Sequence, residues 1–193
     1  MRVIAGNAHG RRLKAPRGLT TRPTSARARE SIFSRLTVRL GFEGVRVLDI
    51  FAGSGSLGIE SLSRGAASVT FVDSSREAAT VMRSNLATLG LSDRARILVL
   101  DVNRALRELS ASHEQFDLAF VDAPYKNDIS ADVLDALAEL DLLAPGAFVV
   151  VEQSRRAPGP PPAPAGIEQV NVPIIGDHRI AFYRRPETAP SHG

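Results

Sequence analysis

The stretch Val47–Glu60, VLDIFAGSGSLGIE, decides the fold. It opens as a short apolar run, meets a carboxylate at Asp49, and then spaces three glycines as Gly53-x-Gly55-x-x-Gly58. A helix is expected to follow over about residues 56–64. Strand, glycine turn and helix in that order form the start of a nucleotide-binding α/β unit, because glycines let the backbone approach a ligand closely. Asp73 follows Gly53 by 20 residues and ends the next apolar run. An acidic residue there can accept from both hydroxyls of a ribose.

Outward from this stretch the chain alternates. VRVLDI (45–50), SVTFV (68–72), ARILVL (95–100), FDLAFV (116–121) and FVVVEQ (148–153) read as strands. SREAATVMRSNLATL (75–89), closed by Gly90, VNRALREL (102–109) and ISADVLDALAEL (129–140) read as helices between them. Strands that are continuous apolar runs, separated by helices, imply a parallel sheet covered on both faces. RRAPGPPPAPAG (155–166) holds five prolines and is expected to be an extended surface loop. IEQVNVPII (167–175) and RIAFYRR (179–185) then read as a hairpin across Gly176-Asp177, an antiparallel edge. The expected fold is α/β, a Rossmann-like sheet of about seven mostly parallel strands.

Charge sets the first 40 residues apart. They hold ten basic residues against one acidic, a net +9, while the remainder holds 14 basic and 20 acidic, a net −6. That is the pattern of a polyanion-binding segment on a neutral-to-acidic body. Residues 2–14 read as a β-hairpin, and residues 24–40 as a helix with Thr24 as N-cap after Pro23. Arg11, Arg12 and Lys14 fall on the hairpin's second strand, and Arg22, Arg27 and Arg29 flank the helix. The expected division is a basic segment over 1–40, a ligand-binding domain over 41–185 and a frayed tail over 186–193.

With no cysteine there is neither a disulfide nor a thiolate metal site. His9, His113, His178 and His192 lack metal spacing, so no metal is expected. No apolar run reaches the roughly 20 residues of a membrane span, and the N-terminus lacks the apolar middle of a signal peptide. A soluble, cytoplasmic monomer is the expectation.

The glycine spacing alone fits a dinucleotide as well as other nucleosides. Asp49 shifts the balance: a carboxylate ahead of the glycines suits a cationic ligand better than a pyrophosphate. Asp49, Asp73, Asp101 and Asp122 close the first four strands, where an open α/β sheet binds its ligand. S-adenosylmethionine carries an ammonium, a sulfonium and an adenosine, and Asp101 would accept from its adenine amino group. An NAD-dependent oxidoreductase would need a hydride-transfer site, and no candidate catalytic His or Tyr-x-x-x-Lys is present.

DIFAGSGSLGIE resembles the first motif of class I S-adenosylmethionine-dependent methyltransferases. Asp122-Ala123-Pro124-Tyr125 resembles the [Asp/Asn]-Pro-Pro-[Tyr/Phe] motif of the amino-methyltransferases in that class. MRVIAGNAHGRRLKAP followed by RPTSARARESIF is similar to the RsmD-like family, which methylates guanine N2 of 16S ribosomal RNA. The chain departs from that family at Ala123, where proline is usual, and at Ala26, where aspartate is usual. The resemblance implies S-adenosylmethionine as cofactor, held by Asp49, Phe51, Ala52, Gly53, Ser54 and Gly55. Asp73, Ser74, Asp101, Val102 and Asp122 would complete that site. It implies 16S rRNA as partner, either naked or within an assembling small subunit, with Arg11, Arg12, Lys14, Arg22, Arg27, Arg29 and Lys126 as RNA contacts. Asp122, Ala123, Pro124 and Tyr125 form the implied catalytic turn. The Asp122 carboxylate and the Ala123 carbonyl would accept from the two N–H groups of the target amine and turn its lone pair toward the methyl. Tyr125 would stack on the base. A DNA-adenine or other RNA amino-methyltransferase, and a basic RNA-binding module on a vestigial cofactor fold, are the rival readings.

Overall fold

A computed structural model describes residues 1–16, 25–123 and 129–187. The helices are α1 (Ala26–Arg39), α2 (Ser56–Ser63), α3 (Arg76–Leu89), α4 (Val102–Ala111) and α5 (Ser130–Glu139). The strands are β1 (Arg46–Ile50), β2 (Ser68–Val72), β3 (Ala95–Leu98), β4 (Phe116–Val121), β5 (Leu143–Ser154), β6 (Glu168–Asn171), β7 (Ile174–Ile175) and β8 (His178–Arg184). They form one sheet in the order β3-β2-β1-β4-β5-β8-β6, with β7 also paired to β8. The pairs from β3 to β5 are parallel, and β8 lies antiparallel to both β5 and β6. The expected antiparallel edge is thus one reversed strand inserted next to the rim, and the outermost β6 runs in the sense of β5 again.

Strand alternation sorts the core into two layers. Val47, Leu118, Phe120, Phe148, Val150, Ile180 and Phe182 face α1, α2 and α3. Leu48, Ile50, Ala119, Val121, Val149, Val151, Ala181 and Tyr183 face α4 and α5. The apolar runs of the sequence are therefore strands buried on both sides. On the first face Phe33 of α1 meets Phe120 of β4 with ring centroids 5.8 Å apart. Truncating such a buried aromatic costs about 3–5 kcal/mol.

Local signals set most boundaries. Ser25 caps α1 by accepting from the Ala28 N–H at 3.1 Å; Thr24, the expected cap, lies outside the described residues. Ser75 caps α3 in the same way, and Gly90 ends it in a left-handed conformation. β5 starts five residues before the expected Phe148, with an irregularity in its pairing to β4 between Leu143 and Phe148, where Pro145-Gly146 lies. The proline-rich segment is anchored at its middle. Tyr183 Oη donates to the Pro161 carbonyl at 2.6 Å in a buried contact, and burial raises the Tyr183 phenol above its usual range.

Charge divides the chain at residue 40, but packing does not. Val3, Ala8 and Leu13 are buried in the same cluster as α2 and α3. The expected hairpin is reduced to a single antiparallel bridge, Arg2–Arg12, because the backbone of residues 4–8 bonds to α2 instead. The fully buried Glu60 carboxylate accepts from Ile4 N–H at 2.7 Å, Ala5 N–H at 3.0 Å and Arg64 Nε at 2.8 Å. Ser63 Oγ accepts from the Ala8 N–H and donates to the Ala5 carbonyl. A Cβ at Gly6 would lie 1.8 Å from the Ser63 carbonyl oxygen, so only glycine permits this approach. Among the described residues no helix is long and apolar enough to cross a membrane.

Candidate active site

The carboxyl ends of β3, β2, β1 and β4 lie side by side, which brings Asp101, Asp73, Asp49 and Asp122 to one rim of the sheet. β1 and β4 are neighbours there, with Ile50 opposite Val121. The β1–β4 junction is the switch point of this sheet, the place where open α/β sheets bind ligands.

Asp49 is only 2% exposed and sits inside β1. Its Oδ2 accepts from the Gly58 N–H at 2.9 Å. Burial is the largest influence on this carboxyl, and with the nearby Asp73 charge it outweighs that bond, raising the pKa from 3.8 to about 7. A cationic ligand would relieve the penalty. Gly58 brings α2 close against β2: a Cβ there would sit 2.3 Å from the Phe71 ring. At the end of β1 Phe51 adopts φ 60°, a left-handed conformation that costs an aromatic residue about 1 kcal/mol or more. Such outliers persist where the surroundings hold them, and here they turn the chain into the glycine loop.

Asp73 braces that loop from the next strand. Its Oδ2 accepts from the Gly53 N–H and its Oδ1 from the Ser75 N–H, both at 2.8 Å. A carboxylate has about four acceptor directions, so capacity remains for a pair of ribose hydroxyls. Ser74 beside it is exposed. Asp101 is exposed and caps α4, accepting from the Asn103 N–H at 2.9 Å. The Val102 side chain is buried in the α4–α5 layer, which leaves its backbone as the part able to meet a ligand. Ala52, Gly53 and Ser54 are half-buried, and Gly55 begins α2 in a left-handed conformation. The donors and acceptors suit an adenosine with a cationic tail.

On the other side of the switch point, Asp122 is half-buried and its N–H points to the Ile50 carbonyl at 3.5 Å. Ala123 is buried. Pro124, Tyr125 and Lys126 lie outside the described residues, as does Arg22.

Of the expected RNA contacts, Arg11, Arg12, Lys14 and Arg27 are exposed. Arg11 donates to the Thr88 carbonyl at 3.0 Å and Lys14 Nζ to Ser84 Oγ at 3.1 Å, so both lie along the last turns of α3. Arg29 is a correction. It is 2% exposed, donates to the Arg2 carbonyl at 3.1 Å, and has its pKa lowered by burial against the opposing pull of Glu60. It faces the core because it sits one position after Ala28, on the buried side of α1.

Sequence reasoning missed Asn85. This buried residue of α3 donates to the Ser54 carbonyl at 3.1 Å and to the Lys14 carbonyl at 3.0 Å, and accepts from the Lys14 N–H at 2.9 Å. It ties the glycine loop to the basic N-terminal segment. Glu60 was also missed; the legible signal was a carboxylate within α2, a helix buried nearly all round.

Residues 1–184 match the family model described as conserved hypothetical protein 95. The putative rRNA methyltransferase YlbH of Bacillus subtilis (strain 168) is 42% identical to this chain, over 80% of the chain and 83% of that protein. Ribosomal RNA small subunit methyltransferase D of Escherichia coli (strain K12) is 32% identical, over 96% of the chain and 90% of that protein. The solved structure of a putative methyltransferase from Escherichia coli, yhhF, superposes with a TM-score of 0.83 at 32% identity, covering 97% of this chain and 99% of that one. With its sheet order, glycine loop and rim of carboxylates, the chain belongs to the RsmD-like family of class I S-adenosylmethionine-dependent methyltransferases.

Proposed function

We propose that this protein methylates the exocyclic N2 of a guanine in 16S ribosomal RNA, acting as a cytoplasmic monomer during small-subunit maturation. The observation that carries this reading is the position of Asp122-Ala123, across the β1–β4 switch point from the glycine loop. Residues 1–40 would form the RNA-facing element, residues 41–185 the cofactor domain and 186–193 a tail.

The cofactor supplies an electrophilic methyl group. Asp73 receives the ribose hydroxyls, Asp101 the adenine amino group, and Asp49 stabilises the positive end from behind the glycine loop. The Asp122 carboxylate and the Ala123 carbonyl accept from the two N2–H bonds of guanine. The nitrogen lone pair then leaves conjugation with the ring and points at the methyl. Alanine keeps the carbonyl that proline would offer, so the acceptor pair does not need the ring. Transfer is in-line, and positioning of the two reactants supplies most of the acceleration. As the N2–methyl bond formed, the methyl–sulfur bond would break with S-adenosylhomocysteine as the leaving group, and the Asp122 carboxylate, facing the amine in this reading, would take the proton that the nitrogen sheds. The target base leaves its stack at a cost of a few kcal/mol, repaid by contacts in the site.

Arg11, Arg12, Lys14 and Arg27 supply salt-sensitive phosphate contacts. Transfer of a labelled methyl group to ribosomal RNA, naked or in partly assembled subunits, tests the reading. Label is expected in RNA; label in duplex DNA or protein alone would contradict it.

A further inference from the structure

α3 stands between the two regions that the proposed reaction must bring together, and one of its residues holds both. Gly55, where the glycine loop enters α2, lies against this helix: a Cβ added there would sit 3.1 Å from the Met82 side chain. Asn85 follows Met82 by three positions and so lies on the same face of α3. It is 3% exposed. Its Nδ2 donates to the Ser54 carbonyl in the loop at 3.1 Å and to the Lys14 carbonyl at 3.0 Å, and its Oδ1 accepts from the Lys14 N–H at 2.9 Å. A side-chain amide has two N–H groups, so both are in use.

Those bonds do nothing for α3 itself. An apolar side chain would pack the helix as well, and a buried hydrogen bond adds little net stability because water supplies its equal in the unfolded chain. What a planar amide adds is geometry. The Ser54 carbonyl and both backbone polar groups of Lys14 are registered against one rigid unit. A shift of Ser54 must turn the amide and move Lys14, or leave a polar group unpaired where burial makes that costly. Lys14 carries the constraint outward. Its Nζ reaches Ser84 Oγ, and Arg11 reaches the Thr88 carbonyl one turn further along α3. Glu60 and Ser63, in the middle and at the end of α2, bond residues 4, 5 and 8 and anchor the segment away from the loop.

We propose that Asn85 is a positioning residue that couples the two ligands: cofactor on the glycine loop strengthens RNA binding at Arg11 and Lys14, and RNA strengthens cofactor binding. The inference rests on the reading of that segment as the RNA-facing element. A ligand on the loop restrains Ser54, and through the amide it restrains Lys14. The cost of ordering the shared unit then falls on whichever ligand binds first. Linkage makes the effect equal in both directions.

The test uses the full-length protein and an RNA fragment spanning the mapped target. RNA affinity is measured by fluorescence anisotropy with and without saturating S-adenosylhomocysteine, which fills the cofactor site without reacting. The wild type is expected to bind RNA about tenfold more tightly when that site is filled, a usual size for coupled sites. Asn85→Ala is expected to bring this ratio close to one. Asn85→Ser, the milder change, should do the same, because a serine hydroxyl within a helix bonds back to its own backbone. A merely structural Asn85 would lower stability and both affinities while leaving the ratio at its wild-type size, and that outcome in either variant overturns the proposal. A wild-type ratio near one overturns it without any variant. If the protein methylates no ribosomal RNA, the underlying function fails as well; methylation with a wild-type ratio near one sinks the coupling alone.

Discussion

The two halves of the sheet's carboxyl rim are built by different means. On the β1–β2–β3 half, every acidic residue is held by nearby backbone N–H groups: Asp49 by Gly58, Asp73 by Gly53 and Ser75, Asp101 by Asn103. On the β4–β5–β8 half, Glu152 and His178 meet side chain to side chain across strands. Main-chain bonding fixes a loop to a ligand that never changes, and its residues must sit at set spacings. The first half therefore carries the glycine motif, and the second carries the Asp122-Ala123 turn.

The sharpest way to break this contrast is at its seam. Asp122→Ala is expected to lower methyl transfer by about 10²–10³-fold, the usual cost of a lost transition-state hydrogen-bonding group. Binding of S-adenosylhomocysteine, followed by calorimetry, should be retained. Full activity in that variant would make Asp122 a strand end only.

Gly58→Ala attacks the main-chain half. The added Cβ overlaps the Phe71 ring, and the strain of overpacking is about 1–3 kcal/mol. Denaturant unfolding should show that loss, with cofactor affinity falling as the Asp49–Gly58 bond is displaced. Unchanged stability would mean that α2 can shift freely against β2.

The Asp49 carboxyl separates the halves by pH. Its folded pKa of about 7 exceeds the ordinary 3.8, so between those values the folded state holds more protons than the unfolded one. Stability of the free protein should then fall as pH rises from about 4 to 7. A cationic cofactor favours the carboxylate, so its affinity should rise with pH by up to about tenfold per unit below pH 7 and level off above it. Asp49→Asn should flatten both trends, as read by thermal melts and titration calorimetry. A wild-type affinity independent of pH would refute the cationic contact.

The smallest effect is expected far from the seam. Arg11→Ala with Arg12→Ala should weaken RNA binding and reduce the slope of log affinity against log salt by about one per phosphate contact removed. An unaltered slope would take those residues off the RNA path.

Legibility followed the same divide. β2 and β4 match their sequence patterns residue for residue, and Gly90 ends α3 as its position requires. These are local signals: two-residue alternation, apolar runs and caps. The four rim carboxylates were legible as positions for the same reason, since each lies in or just beyond the carboxyl end of a strand. The inward turn of Arg29, the docking of residues 1–16 on Glu60 and Ser63, and the bridge that Asn85 makes between Ser54 and Lys14 were not. Each depends on a partner far away in the chain, which no spacing announces. Glu152 and His178 belong to that group, because their pairing exists only once β8 has inserted between β5 and β6.

The central claim is that the two halves meet to place a methyl group on guanine N2. Its most direct test is nucleoside mass spectrometry of 16S ribosomal RNA after reaction with the purified protein and S-adenosylmethionine. N2-methylguanosine at a single position is the predicted result, and its absence from Asp122→Ala reactions should accompany it. Methyl groups on adenine, or spread over many guanines without preference, would contradict the account.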